Sequence, residues 1–310
     1  MMKNNDKYAI AVRKPDKDIE VKIEKYKPAG EKCKLFKVPI IRGVFNFVES
    51  LVIGVKTLMY SAEFYDEEEE VKPKKSKKDV ENTEESTDNN NVEKKKEESS
   101  DGLFMFLTVA FSIVLAVGLF MLLPAFLASL LDGVIKNHFA LGLVEGVLRL
   151  IIFLLYVVLI SRMEDIKRTF MYHGAEHKCI NCLEAGDDLT VENIMKHTRF
   201  HKRCGTSFLF IVMIVSILVF MCIRTDTVWL RLLYRVLLVP VVAGISYEFI
   251  KFAGKYDNAV ANILSKPGLW VQRLTTKEPT EDMVEVAIKA VEGVLDWRAY
   301  LEEEKNSSKN

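Results

Sequence analysis

His173 and His177 stand four residues apart in the run Tyr172-His-Gly-Ala-Glu-His-Lys178, with Glu176 between them. On a helix, residues four apart stack on one face, and Glu176 shares an arc of about 100° with both. This H-x-x-E-H arrangement has mechanical sense. Two imidazoles bind one divalent ion, and the neighbouring carboxylate takes a proton from a water. A second pair, His201 and Cys204, is spaced so that both can meet one ion from a turn or helix start. Glu184, seven residues after His177, offers an oxygen ligand. The expected ligand set is His173, His177 and His201, completed by Glu184 or Cys204, with Glu176 as the catalytic general base. That mixed nitrogen, oxygen and sulfur set suits zinc best, with iron or manganese next.

A competing pattern lies alongside. Cys179-x-x-Cys182, with Cys204 and a histidine, could build a closed structural zinc site. It could also be a redox dithiol, but no βαβ pattern accompanies it. Histidines that coordinate nothing are the bland alternative. The density of four histidines and three cysteines between Met171 and Gly205 argues against it.

The elements that hold these residues are mostly apolar helices. Four spans are expected: Leu103–Leu131 with a kink at Pro124, Phe139–Ile160, Phe208–Ile223 and Val228–Ile250. Glu145 and Arg149 sit four apart within the second span, in the favourable order for a pair. A buried pair fastening that span to Arg235 of the last is the expectation. The segment Ser161–Arg168 reads as a continuation of the second span into the His173/His177 helix. Gly186-Asp-Asp-Leu-Thr190 reads as a turn, followed by a short helix 191–196 that folds the second ligand pair back onto the first.

Around this membrane domain, 102–254, the chain changes character. Residues 1–37 alternate charged and apolar residues, and predict a small β-hairpin of Tyr8–Arg13 and Ile19–Ile23. Residues 38–64 carry Arg42, Glu49, Lys56 and Glu63 every seven residues, which predicts an amphipathic helix lying at the membrane interface or packed on the bundle, with a simple tilted span as the alternative. Residues 65–101 are a charged linker too poor in apolar residues to fold. Residues 255–310 predict amphipathic helices, the first interrupted at Pro267-Gly268, another over Met283–Trp297 begun by Thr280, and a disordered tail. The fold class is therefore mainly α: a polytopic helix bundle of about four spans plus an amphipathic helix, with a small N-terminal β-hairpin.

Lys and Arg crowd the N-terminal region, the 161–206 loop and the C-terminal tail, while the loops 132–138 and 224–227 are short and carry few cations. The positive-inside rule then puts both termini and the 161–206 loop in the cytoplasm of a multi-pass plasma-membrane protein. The first 37 residues lack an apolar core, so no cleavable signal peptide is expected. A net charge of zero gives no reason to expect nucleic-acid binding; membrane lipid is the expected partner. Five cysteines, most of them among histidines, suit metal ligation better than a disulfide framework.

Several stretches resemble the bacterial YqhQ-like family of multi-pass membrane proteins: Arg42-Gly43 with Glu49-Ser-Leu51, Tyr172–Lys178, His201-x-Arg-Cys-Gly-Thr-Ser-Phe208, Tyr247-Glu248, and Pro267-Gly-Leu-Trp-x-Gln-Arg-Leu-Thr-Thr276. The resemblance implies a predicted metal-dependent enzyme and supports His173, Glu176, His177, Glu184, His201 and Cys204. Cys179, Cys182 and His197 are less typical of that pattern. It also implies a Gly-rich opening segment, whose end Met1-Met2-Lys3 resembles. The expected function is a membrane-embedded metal-dependent hydrolase at the cytoplasmic face, with Glu248 a supporting carboxylate. The alternative is a non-catalytic scaffold or regulatory protein with a structural metal. Few polar groups within the spans and no visible inverted repeat disfavour a transporter.

Overall fold

The computed structural model describes residues 1–4, 6–26, 38–71, 107–131, 133–223, 227–256 and 258–307. Most of the linker expectation, from residue 72 on, lies outside them. The chain divides into two units, Met1–Glu69 with Leu154–Asn310, and Glu70–Phe153.

The first unit begins with an antiparallel sheet. Strands β1 (Met2–Asn4), β2 (Lys7–Arg13) and β3 (Ile19–Lys25) lie in that order, with Met2 opposite Ala9 and Arg13 opposite Ile19. The expected hairpin is present, and β1 adds a third strand too short to show alternation. Because successive side chains face opposite ways, β2 serves two cores. Tyr8 and Ile10 meet Ile53 of helix α1 (Ile41–Val71). Ala9 faces helix α9 (Glu281–Val294), where Gly293 comes so close that a Cβ on it would lie 2.7 Å from the Ala9 side chain.

α1 runs to Val71, beyond the expected start of the linker. Two charges of its heptad stripe find partners: Arg42 makes a bidentate pair with Glu248, and Glu49 accepts from Lys3 at 3.2 Å. On another face Val48, Leu51, Val52, Val55 and Leu58 are all at least half exposed.

Among the described residues, four helices are long and apolar enough to cross a membrane: Ile41–Phe64 within α1, Leu107–Ser129 (α2), His138–Ile160 (α3) and Leu233–Lys255 within α7 (Val228–Lys255). Helix α6 (Gly205–Met221) is apolar but shorter. At 1.5 Å per residue its 17 residues reach about 26 Å, against about 30 Å for a hydrocarbon core. In the second unit, α2 contains a π-helical turn at Gly118–Leu122, just before Pro124, where the sequence predicts a kink. Glu145 and Arg149 are buried on α3 and paired at 3.0 Å, as their spacing predicts.

α3 does not continue into the histidine helix. It ends at Ile160, a turn follows, and α4 (Glu164–Glu184) starts afresh, with Glu164 and Asp165 against the positive end of its dipole. Helix α5 (Val191–Lys196) is capped by the Thr190 hydroxyl. The expected break at Pro267 is absent: α8 (Ala259–Thr275) is one helix, capped by Asn258. Its Gly268 lies against α6, where a Cβ would meet Ser207 at 2.6 Å. Close packing on α6 therefore offsets the hydrogen bond that proline forgoes. The tail folds as α10 (Trp297–Ser307), anchored by buried Trp297 and Leu301. The main core joins α4, α5, α9, α10 and the sheet. Val284, fully enclosed there, contributes about 1.5–3 kcal/mol.

Candidate metal centre

His173 and His177 lie on one face of α4, ring centroids 4.3 Å apart, as the four-residue spacing requires. The third member of the group is Cys204, the N-cap of α6, whose sulfur accepts from the Thr206 N–H at 3.4 Å. One donor atom from each of the three lies within 4.8 Å of the others, and the Cys204 Sγ to His173 Nε2 separation is 3.2 Å. This buried group could hold a metal ion.

Both rings are held by backbone carbonyls. His173 Nδ1 is 3.0 Å from the Thr275 carbonyl, and His177 Nδ1 is 2.7 Å from the Arg199 carbonyl. A carbonyl only accepts, so Nδ1 carries the proton in both rings and a neutral ring keeps its Nε2 lone pair free. That is the arrangement of ligating histidines, whose second nitrogen is fixed by an outer partner. The donors fit zinc. Bonds of about 2.0 Å to nitrogen and 2.3 Å to sulfur set neighbouring tetrahedral ligands roughly 3.5 Å apart. The 3.2 Å pair is close to that value, and the three donors all lie within 4.8 Å of one another.

Electrostatics favour a thiolate. Burial alone would push the Cys204 thiol up, but the His173 and His177 imidazoles outweigh it and hold it down at about 5. Burial would lower His173, yet the Cys204 sulfur raises it to about 9. The start of α6 adds the positive end of a helix dipole.

The other expected ligands sit beside this group. The His201 ring lies 5.7 Å from that of His177, and its Nε2 is 3.4 Å from a Glu184 oxygen. Burial lowers the His201 pKa against the opposing pull of Glu184. Glu184 also pairs with Arg203 at 3.4 Å. His201 and Glu184 line a cavity of about 430 Å³ on their side of the group. Glu176 lines another, of about 730 Å³, together with His173; its carboxylate meets the Met1 nitrogen. Glu248 serves Arg42 instead. Cys179 and Cys182 are buried in the main core, their thiols pushed up by burial, and neither belongs to the group.

Three positioning features were not read from the sequence. The Gln272 side chain, wholly buried, accepts from the His201 N–H at 2.9 Å and donates to the His201 carbonyl and the Ser207 hydroxyl, both at 2.7 Å. It ties α8 to both sides of Cys204. Its signal was its place within the Pro267–Thr276 motif. Glu278 accepts from buried Lys178 at 3.0 Å and from Arg199 at 2.8 Å, steadying the segment whose carbonyl holds His177. Gly174 leaves room for the Lys277 carbonyl to pass against α4. Lys277 donates to the Phe170 carbonyl at 2.9 Å, which keeps Thr275 beside His173.

Comparison with known proteins gives two matches. The family described as "Protein of unknown function (DUF1385)" matches residues 38–297. The "Uncharacterized protein YqhQ" of Bacillus subtilis (strain 168) is 36% identical over 310 residues, covering 98% of this chain and 91% of that protein. No solved structure matches.

Proposed function

The chain belongs to the family described as Protein of unknown function (DUF1385), and from that premise we propose that it is a zinc-dependent hydrolase of the plasma membrane, working at the cytoplasmic face. The observation that carries this reading is the His173, His177 and Cys204 group, with both Nδ1 atoms occupied by backbone carbonyls. Three protein ligands leave a fourth position open, which is the mark of catalytic rather than structural zinc sites.

Bound there, zinc would supply Lewis-acid chemistry, acidifying a water or polarising a carbonyl. The protein's part is binding and proton transfer. Thr275 and Arg199 fix the imidazoles, and those imidazoles keep Cys204 ionised. Glu176, one turn from His173 and facing the same cavity, takes the proton from the attacking water and returns it to the leaving group. His201 and Glu184, expected as ligands from spacing and from the resemblance, act in this reading as a neighbouring proton-sharing pair.

Elemental analysis of the purified protein tests the assignment. One zinc per chain is expected, and none in His177→Ala; equal zinc in the two would overturn it. A second reading, a thiolate nucleophile without metal, is favoured by the 3.2 Å Cys204–His173 contact at a helix N-terminus. Wild type free of zinc, with Cys204 rapidly alkylated by iodoacetamide, would select it.

A further inference from the structure

The cavity beside His173 and Glu176 has two kinds of wall. Those two residues are a polar part of its lining. Phe170, Val286, Ala287 and Ala290 are an apolar part. At about 730 Å³ it falls in the range of sites that enclose most of a small ligand. Another wall is formed by Thr57, Leu58, Ser61 and Ala62 of α1.

That wall decides the ligand. The exposed apolar face of α1, from Val48 through Leu58, is continuous with it, and Leu58 belongs to both. The later half of that helix is held to the N-terminal β-sheet. Lys3 pairs with Glu49, Ile53 packs on Tyr8 and Ile10, and the Tyr60 hydroxyl donates to Glu20. A helix that meets the β-sheet from Glu49 to Tyr60 cannot send those residues across a bilayer. It lies along the membrane surface with its apolar face down, as interfacial helices do. The cavity is thus bounded by a helix whose outer face rests in lipid.

We infer that the cavity admits the acyl chain of a bilayer lipid, which enters past Leu58 and brings its head region to His173 and Glu176. The lipid's role as substrate rests on the hydrolase reading; its binding rests on the cavity alone. A lipid meets the apolar lining with its chain and the polar residues with its head, and it reaches the cavity without leaving the membrane plane.

Photocrosslinking separates the two. The full chain is placed in nanodiscs of phosphatidylethanolamine and phosphatidylglycerol, doped with phosphatidylglycerol bearing a diazirine in its acyl chain, and the adducts are mapped by mass spectrometry. Adducts on Phe170 and on the buried trio Val286, Ala287 and Ala290 are expected in wild type. They should fall at least tenfold in Ser61→Trp, which fills the cavity from α1, while adducts on the outer face of α1 persist. Adducts confined to outer apolar surfaces in wild type would overturn the inference, and that result needs no variant to fold. So would labelling of the trio by a diazirine-bearing acylated peptide while phosphatidylglycerol leaves it unlabelled. The trio should still be labelled in His177→Ala, which keeps the cavity. Zinc-free wild type with a labelled trio fails the hydrolase reading and spares this one; zinc without labelled trio does the reverse.

Discussion

Replacing Gly174 by alanine tests how the His173 ring is held. A Cβ at 174 would lie 2.1 Å from the Lys277 carbonyl oxygen, where an ordinary contact begins at 3.4 Å. The difference, about 1.3 Å, must come from a retreat of the Thr275–Lys277 segment, because α4 is locked in the core. That motion breaks the 3.0 Å bond from His173 Nδ1 to the Thr275 carbonyl and strains the Lys277 N–H bond to Phe170. Two such bonds at about 0.5–1.5 kcal/mol each give a stability loss of about 1–3 kcal/mol. Loss of the outer partner of a ligating histidine lowers metal affinity by about 10–100-fold. Competition with a chromophoric chelator in detergent micelles measures the affinity, and thermal unfolding measures the stability. Gly54→Ala is the control. Nothing lies within 4 Å of a Cβ there, and alanine in a helix gains up to about 1 kcal/mol over glycine. A Gly174→Ala protein with wild-type zinc affinity would refute the argument that Thr275 orients His173.

Glu176→Gln should keep the full zinc content and the fold, yet leave a strain carrying it indistinguishable from one lacking the protein; loss of zinc would make Glu176 a structural partner and not a base. Gln272→Ala leaves the His201 amide, the His201 carbonyl and the Ser207 hydroxyl without their buried partner, at about 1–3 kcal/mol each. It should lower the unfolding temperature and speed hydrogen exchange at the His201 amide, and wild-type exchange there would refute the role given to Gln272. Burial tends to raise the Glu278 carboxyl, but Lys178 and Arg199 outweigh it and hold its pKa below the usual range. Its contribution is therefore present above its unfolded pKa of about 4.3 and fades as pH falls through the lower folded value. Glu278→Gln should be less stable than wild type at pH 7, with the gap closing under acid; a constant gap would contradict the pairing.

Local spacing carried part of this site and tertiary contacts the rest. His173 and His177 were legible because helical period alone stacks them. Cys204 was legible as a candidate, but its advantage over His201 was not. That depends on the N-cap geometry of α6 and on Gln272, which fixes His201 by its backbone and leaves its ring to Glu184. Thr275 and Arg199 act through carbonyl oxygens 102 and 22 residues away, and a backbone oxygen has no side-chain signature. Pro267 misled for a related reason. Its local preference is to end a helix, and the close fit of Gly268 on Ser207 overrides it. The turn after Ile160 falls where apolar periodicity gives way to charge, and that change alone did not distinguish a continued helix from a new one.

The two covers of the N-terminal sheet come from distant parts of the chain, and this sets an order of assembly. α1 follows the strands directly, whereas α9 leaves the ribosome only after every apolar helix has been made. Until then Ala9, and the α4 face bearing Ala175 and Cys179, have no α9 to pack against. Contacts of such sequence separation form slowly and expose apolar surface while they wait. Synthesis of every apolar helix therefore precedes closure of this core, and a nascent chain stalled before residue 281 displays the histidine helix without α9 to pack against.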